Sequence, residues 1–271
     1  MEYSSDSSAA AAYVSNSVVV SSVAHWKMND NAASTTVVDS KNSYNGTAAR
    51  NTSNLSVAGK INTALSFNGS SDYIDLGTSF PVSDTFTLCF WMVNKGTDKT
   101  CDMWARNENA DQWAYLGIGY SGSNMFVATN KALNAFEEQT VAAYSSFSNG
   151  DHLAFVFNYP TCTVYKNGNS TPIATLTFTN HFNYAAGNTV MGRDGAYNGY
   201  YFDGILDDVR YYDTALSTIE IAKIYNSNNG TEADFGVQSY SESTIKTQGS
   251  YALKAVAAQT DSLNKTLTKT F

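Results

Sequence analysis

The sequence predicts an all-β protein in which antiparallel strands form a two-sheet jelly-roll sandwich. Apolar or alternating runs of about five to eight residues recur along residues 23–230, and clusters of Gly, Asn, Ser or Asp separate them. The 271 residues suffice for one such sandwich, since sandwiches of about 200 residues or more form single domains. An aromatic share of 13% beside a charged share of 15% also favours strands.

The strand-like segments follow one another without an intervening long helix, which favours antiparallel pairing over a βαβ fold. In chain order they are VAHWKM, ALSFNG, YIDLG, FTLCFWMV, AYLGIGY, NMFVAT, HLAFVFN, CTVYKNG, IATLTF, NTVMGR and GILDDVRYY. Asn-Gly pairs predict tight turns in which Gly46, Gly69 and Gly168 take a positive φ.

One short helix is predicted in the segment TALSTIEIAKIYN near the end of the sandwich. Ser217 is a suitable N-cap, and Glu220 three residues later completes a capping box. The apolar stripe consists of Ile221, Ile224 and Tyr225. With about two turns the helix is too short to be stable alone, so we expect it to lie against the sandwich.

Three parts of the chain differ in composition. Residues 1–22 are rich in Ser and Ala and are typical of an arm or linker, and residues 23–230 hold the sandwich. Residues 231–271 are a linker followed by the strand-like segments GSYALKAVA and LNKTLTKTF. That tail is either the start of a second jelly roll in a longer chain or a segment that pairs with the main sandwich or a neighbouring subunit, because two isolated strands are marginally stable.

Charge and hydropathy exclude several classes of partner. The net charge is −8 and the 16 basic residues are scattered, so nucleic acid is not an expected ligand. No apolar run reaches the roughly 20 residues of a spanning helix, and the N-terminus lacks the basic region of a signal peptide.

Cys89, Cys101 and Cys162 match no zinc spacing and are predicted to be free thiols.

Four ordered segments resemble the laminin G-like family of concanavalin A-like lectins and glucanases. The segments are an opening strand ending at Trp26 with Asp39 and Asn45-Gly46 behind it, the F-x-G-x-x-D-Y pattern of Phe67, Gly69, Asp72 and Tyr73, the hairpin from Asp151 to Gly168, and a closing strand and helix with Gly204, Asp207, Asp208, Val209, Tyr212, Leu216, Ser217 and Glu220. Asp151-His152 departs from the family, where Trp-His is usual. The resemblance implies a concanavalin A-like fold.

Catalysis is not predicted, although the resemblance covers glucanases. Those enzymes carry an E-x-D-x-x-E strand whose carboxylates share one face, and this sequence has none. The adjacent acids Asp207 and Asp208 are expected to point to opposite faces of a strand, and Glu137-Glu138 is expected in a loop. There is also no G-x-S-x-G elbow.

Two aromatic segments are candidates for ligand binding, since sugar rings stack on exposed aromatic side chains. The candidate residues are Trp104, Asn107, Asp111 and Trp113 in DMWARNENADQWAYLG, and Tyr197, Tyr200 and Tyr201 in DGAYNGYY. The alternative is that both indoles cover a sheet face.

Calcium is the one metal that the residue types suggest, because it prefers several carboxylate and amide oxygens. The candidate ligands are Asp39, Asn45, Asp207 and Asp208, and many members of the resembled family hold calcium near corresponding loops. The alternative is that the acids cap turns by hydrogen bonding.

The function predicted from the sequence is a non-catalytic, carbohydrate- or surface-binding adhesion module of a larger phage, virus or bacterial surface protein. Its partner would be a glycan or a cell-surface receptor, and its location extracellular, at the cell surface or on a virion. Two alternatives remain open: a virion, capsid-decorating or filament-forming subunit that assembles with itself or with capsid or tail proteins by strand addition, and an ancillary domain of a glycan-processing enzyme.

Overall fold

The structure is a computed structural model that describes residues 20–97, 99–107, 115–130, 135–184, 187–194 and 199–232, and the backbone of residues 239–242 and 252–255. Ser22–Glu232 form one compact unit, and Met1–Ser21 with Ala233–Phe271 form another. In the described part of the chain, no helix is long and apolar enough to cross a membrane.

Strands dominate the described residues, as the sequence predicts. They are β1 Ala24–Trp26, β2 Thr36–Val37, β3 Gly46–Ala48, β4 Ser56–Ala58, β5 Thr63–Asn68, β6 Ile74–Gly77, β7 Thr85–Asn94, β8 Cys101–Asn107, β9 Tyr115–Ser121, β10 Asn124–Asn130, β11 Glu137–Ala143, β12 Asp151–Asn158, β13 Thr161–Lys166, β14 Ala174–Thr177, β15 Asn188–Met191, β16 Asp203–Tyr212, β17 Ser239–Glu242 and β18 Ala252–Ala255. Among the described residues one α-helix, α1, spans Thr218–Tyr225.

The strands of the larger unit form two eight-stranded antiparallel sheets, so the predicted all-β sandwich is confirmed. The first sheet has the order β14-β13-β12-β7-β16-β5-β4, with β1 also paired to β16. The second sheet has the order β11-β10-β9-β8-β15-β6-β3-β2. Glu137-Glu138 begins β11, so the expectation of a loop there is wrong. In the smaller unit β17 pairs with β18, which lies in the segment GSYALKAVA, while LNKTLTKTF lies outside the described residues.

Inward-facing side chains of both sheets form an aromatic-rich core. Phe86 of β7 stacks on Phe157 of β12 with ring centroids 4.2 Å apart, and on Tyr211 of β16 at 5.3 Å. Trp26 is fully buried, and its indole N–H donates to the Tyr44 carbonyl at 2.8 Å. Alternation along each strand therefore supplies one core-facing side, as expected for paired antiparallel sheets.

Two of the three predicted glycine turns have the expected backbone. Gly69 and Gly168 have φ of 69° and 63°. Gly46 does not, because it lies inside β3, where a Cβ atom would come within 2.4 Å of the Ile74 side chain. Glycine is therefore needed at this position for close approach between strands, and the predicted positive φ is wrong.

The short helix α1 lies over the outer face of the first sheet. Ser217 and Glu220 form the predicted capping box. The Thr87 hydroxyl of β7 donates to the Thr214 carbonyl at 2.7 Å and so ties the preceding segment to the sheet. Tyr225 stacks on Trp91 of β7 at 5.4 Å. Packing supplies the stability that two isolated turns would lack.

A buried ion cluster lies on the same outer face, where a bulge interrupts β16. Asp208 has φ of 49°, and its carboxylate accepts from the guanidinium of Arg210 at 3.0 and 3.2 Å and from the Nε2–H of His25 at 2.6 Å. Burial alone would lower the pKa of Arg210, but the charge and hydrogen bond of Asp208, together with the neighbouring Tyr212 and Cys89, raise it above its ordinary value. Burial lowers the pKa of His25 despite its bond to Asp208, so the imidazole is neutral.

The bulge also changes the direction of the adjacent acid. Asp207 is paired with Trp91, and Arg210 with Cys89, two residues that share one face of β7 by alternation. The Asp207 carboxylate and the Asp208 carboxylate, which is bonded to Arg210, therefore both lie on the outer side of the first sheet. The expectation that they point to opposite faces is wrong. Asp207 and Asp208 are 0% and 1% exposed, which removes them from contact with any substrate.

Candidate functional site

The second sheet has an outer face that bears its own small apolar cluster. Along β10, Met125 and Val127 belong to the main core, whereas Phe126 and Ala128 belong to a separate cluster with Ala105 of β8. The register places Phe126 beside Gly119 and Ala128 beside Gly117, both in β9. Strand alternation thus places Ala105, Gly117, Gly119 and Ala128 on the outer face as a low surface of small residues, with the Phe126 ring at its end. We call this surface the floor.

Glycine is required in this floor by the packing of β8 against β9. A Cβ atom on Gly119 would come within 1.9 Å of the Cys101 carbonyl oxygen. The cause is a bulge between Asp102 and Trp104, which moves the β8 backbone toward β9. The floor is therefore low because the backbones of the two strands approach closely.

A cavity of about 270 Å³ borders the Phe126 end of this floor, and its volume is near the lower end of the range for small-molecule sites. We call it the groove, and its described lining residues are Thr100, Asp102, Ser121, Phe126, Phe136, Glu138 and Tyr200. Phe136 and Tyr200 are 47% and 43% exposed. Exposed aromatic rings stack on the apolar face of a sugar ring, and neighbouring carboxylates and hydroxyls form hydrogen bonds with the hydroxyl groups of the sugar.

Tyr200 has an unusual backbone conformation, which contacts with Asp102 hold in place. Its φ is 54°, a value that non-glycine residues other than Asn and Asp rarely adopt. Its carbonyl accepts from the Asp102 N–H at 2.8 Å, and the next residue, Tyr201, forms a bridge with Asp102. Strained backbone that neighbouring contacts hold in place is typical of ligand-binding positions.

Burial and charge at the base of the groove affect a neighbouring thiol. Asp102 is 3% exposed, so its carboxylate lies near the protein interior. Burial, together with a smaller effect of the Asp102 charge, raises the pKa of Cys101 to about 12. The three cysteines are free and buried, so the prediction of free thiols is confirmed and the Cys101 thiol is not a nucleophile.

The structure brings only part of the predicted ligand set to the groove. Tyr200 lines it, and the half-buried Tyr201 is adjacent. Trp104 is 1% exposed and belongs to the core between the sheets, so its assignment to ligand binding is corrected: it fills the sandwich, as the alternative for the indoles proposed. Asn107 ends β8 and only its backbone is described. The remaining candidates, Asp111, Trp113 and Tyr197, lie outside the described residues.

Several groove residues were not predicted from the sequence. Phe126 lies in the run NMFVATN, Glu138 belongs to the pair Glu137-Glu138 that the sequence predicts to be a loop, and Phe136 directly precedes that pair. The available signal was alternation, because Gly117 and Gly119 alternate with Leu116 and Ile118 along β9. Small residues at every second position indicate a face that is not part of the core.

The first predicted calcium ligand is fully occupied by backbone donors. The buried Asp39 carboxylate accepts from the N–H groups of His25 at 2.8 Å and Lys41 at 2.9 Å through Oδ1, and from those of Ser43 and Tyr44 at 3.1 and 3.0 Å through Oδ2. The Asn45 side-chain oxygen accepts from the Asp39 N–H at 2.8 Å. Asp39 and Asn45 therefore cap this turn and do not fit a calcium ion.

The second predicted pair does not fit calcium either. One Asp207 oxygen accepts from the N–H groups of Lys60 and Ile61 at 2.8 and 2.9 Å, and Asp208 is bonded to Arg210 and a histidine. Burial raises the pKa of Asp207 to about 7. Within the described residues, no group of three His, Cys, Asp or Glu side chains is placed to hold a metal.

The comparisons with known proteins agree with this architecture. A profile of the concanavalin A-like lectin/glucanases superfamily matches residues 68–222, more than half of the chain. Domain 4 of AbnA, a GH43 extracellular arabinanase from Geobacillus stearothermophilus solved with arabinotriose, is 19% identical with a TM-score of 0.59, over 75% of this chain and 97% of that one. No curated protein sequence matches the chain significantly.

Toxin binding domains share the fold as well. The botulinum neurotoxin serotype D binding domain is 15% identical, with a TM-score of 0.55 over 76% of this chain and 51% of that one. The binding domain of Paraclostridial Mosquitocidal Protein 1 is 18% identical, with a TM-score of 0.51 over 74% and 52%. The chain spans about half the length of these domains, and at such identities the likeness concerns the fold. The family match over residues 68–222 places this chain in the concanavalin A-like lectin/glucanase superfamily.

Proposed function

We propose that the sandwich binds carbohydrate, free or on a cell-surface receptor, through the groove on the second sheet. The observation that carries the proposal is the pair of exposed aromatic rings, Phe136 and Tyr200, which line one cavity together with carboxylate and hydroxyl side chains. Structures of similar fold support it, since one was solved with arabinotriose and others are named as toxin binding domains.

The groove is better suited to binding than to glycoside hydrolysis. Its carboxylates, Asp102 on β8 and Glu138 on β11, are separated by β9 and β10. Three interstrand spacings amount to about 14 Å between the two backbones, and strand side chains stand roughly perpendicular to the sheet, so this arrangement disfavours the carboxyl separation of about 5–9.5 Å that glycosidases use. A non-catalytic role is therefore part of the proposal.

The wider setting that we propose is an adhesion module of a larger phage, virus or bacterial surface protein, located outside the cell or on a virion. Support comes from the aromatic-rich composition and from the similarity to a domain of an extracellular arabinanase. Calcium is not required in this proposal, because the predicted ligands do not fit it, and binding should be equal in calcium and in a chelator.

A neutral-glycan array followed by calorimetric titration tests the proposal, with arabinotriose among the probes. Replacing Phe136 by Ala, or Tyr200 by Asn, which tolerates the positive φ, should weaken binding about tenfold each. The matched control is Ile219→Ala, which removes an exposed apolar side chain, 58% exposed, from α1 over the other sheet. Unchanged affinity in both groove variants would reject the groove as the site, and filaments without any glycan binding would favour the assembly alternative.

A further inference from the structure

A second cavity, of about 450 Å³, lies toward the opposite edge of the second sheet, where β3 pairs with β6. We call it the hollow, and its lining includes Asn45, Thr47, Ala49, Tyr73, Asp75 and Gly77. Thr47 lies opposite Asp75 in the pairing of the two strands. The neighbouring Ala48, Ile74 and Leu76 belong to the core, so strand alternation places Thr47 and Asp75 on the outer face.

The hollow results from residues of unequal size on this outer face. Tyr73 stands on one side, and the Arg193 guanidinium lies over its ring at 4.2 Å from the ring centroid. Ala49 and Gly77 have little or no side chain, and a Cβ atom on Gly77 would meet no neighbouring atom of the described residues within 4 Å. The space above these two small residues is therefore open to a ligand.

The polar groups of the hollow supply both donors and acceptors. The Asp75 carboxylate accepts from the Gly77 N–H at 2.7 Å through Oδ1, and its Oδ2 lies 3.5 Å from the Asn188 amide nitrogen. A carboxylate has about four acceptor positions, so others remain for a ligand. The exposed Thr47 hydroxyl can donate or accept, and Asn45, whose side-chain oxygen already accepts from the backbone, offers its amide N–H groups. Neighbouring hydroxyl groups of an uncharged sugar match this set.

The hollow and the groove lie on the same face of the second sheet. One line of directly paired residues crosses seven strands, and it consists of Thr47, Asp75, Val190, Ala105, Gly117, Ala128 and Glu138. Directly paired residues point to the same side of a sheet, and Glu138 lines the groove. Val190, Ala105 and Ala128 are fully buried, so the two cavities are separate. The five strand spacings from Asp75 to Glu138 amount to about 24 Å.

We infer that the hollow is a second carbohydrate site, and that the sandwich binds the chain of a neutral polysaccharide through the hollow and the groove at once. The inference rests on the proposed function, because the groove supplies the first site. A trisaccharide is shorter than the distance between the cavities and occupies each of them separately. A polysaccharide reaches both, and its second contact is then intramolecular, which raises the overall affinity.

Calorimetric titration with a short and a long probe of the same sugar tests the inference. Suitable pairs are arabinotriose with linear arabinan, and a galactose trisaccharide with linear galactan. We expect two bound trisaccharides per chain and at least tenfold tighter binding of the polymer, expressed per trisaccharide unit. Ala49→Trp fills much of the hollow from an exposed position and should remove one trisaccharide site together with the gain for the polymer. Thr47→Val removes only the hydroxyl and should weaken the same site several-fold.

The matched control is Ile219→Trp, which adds the same side chain at an exposed position of α1 over the other sheet and should leave both readouts unchanged. A single bound trisaccharide that Phe136→Ala removes and Ala49→Trp retains would overturn the inference and leave the proposed function standing. Two bound trisaccharides without tighter binding of the polymer would overturn simultaneous occupation. A single site that only Ala49→Trp removes would reject the groove, and silence of every probe would overturn the proposed function; the inference fails with either.

Discussion

Removal of Arg210 from the buried ion cluster should destabilise the sandwich by several kcal/mol. The Arg210 and Asp208 side chains are 1% and 0% exposed, and the guanidinium makes two bonds to Asp208 Oδ1 and one to the Thr231 carbonyl. Arg210→Met keeps most of the volume but leaves a buried carboxylate with His25 alone. Breaking one partner of a buried pair costs about 3–5 kcal/mol, because the remaining charge is uncompensated.

Urea unfolding followed by tryptophan fluorescence at pH 7 measures this loss, and two controls define its origin. Lys27→Met removes a cation that lies 3.7 Å from Glu232 with 39% side-chain exposure, and should cost less than about 1 kcal/mol. The double variant Arg210→Met with Asp208→Asn removes both charges and keeps a residue that tolerates the positive φ. It should therefore be less destabilised than the sum of the two single variants.

Two results would refute this account of the cluster. One is an Arg210→Met protein within about 1 kcal/mol of the wild type, which would mean that water or local rearrangement compensates Asp208. The other is simple additivity of the two single variants, which would mean that the two side chains are not energetically coupled.

The remaining predictions concern pH dependence, the core, the helix cap and the thiols. Burial raises the folded-state pKa of Asp207 from 3.8 to about 7, so the folded state binds more protons between these values. The stability of the wild type relative to Asp207→Asn should then fall by about 1.4 kcal/mol per pH unit from pH 5 to 6.5, and a flat difference in unfolding free energy would contradict this. Trp104→Ala should cost about 3–5 kcal/mol of stability by creating a core cavity, whereas selective loss of ligand binding in a stable protein would restore its role as a ligand residue. Ser217→Ala should cost about 1 kcal/mol by circular dichroism melting, and no change would show that the capping box is unimportant. All three thiols should resist iodoacetamide in the native protein and react in urea, as judged by mass spectrometry. The reason is that burial raises the pKa of Cys89 and Cys101 to about 12 and that of Cys162 well above its ordinary value. Rapid labelling of the native protein would show local opening.

Elements defined by local sequence were predicted well. The strand segments, the capping box of Ser217 and Glu220, and the turns at Gly69 and Gly168 are all present. Each depends on residues within a few positions of one another, such as a side chain that caps its own helix or a glycine that relieves a local clash. The order of the four family-like segments also predicted the fold, because their spacing reflects one connected sandwich.

The candidate site was predicted only in part, because facing direction is a long-range property. Trp104 and Phe126 both lie in alternating strands, and nothing local shows which of them faces the other sheet. The bulge between Asp102 and Trp104 in β8 and the one at Asp207–Asp208 in β16 shift the alternation within single strands. A shift of one residue exchanges inner and outer faces, so residue type alone misplaces the ligand candidates.

The sequence by itself determined the strand and turn pattern, the family and the absence of a concentrated positive charge, since these follow from composition and short-range order. Only the tertiary structure decided that Asp39 and Asp208 bind the protein's own N–H groups and cations, and that Phe136 and Tyr200 flank one groove. The physical reason is that a carboxylate becomes a cap, an ion-pair partner or a ligand site according to the donors that distant strands bring to it.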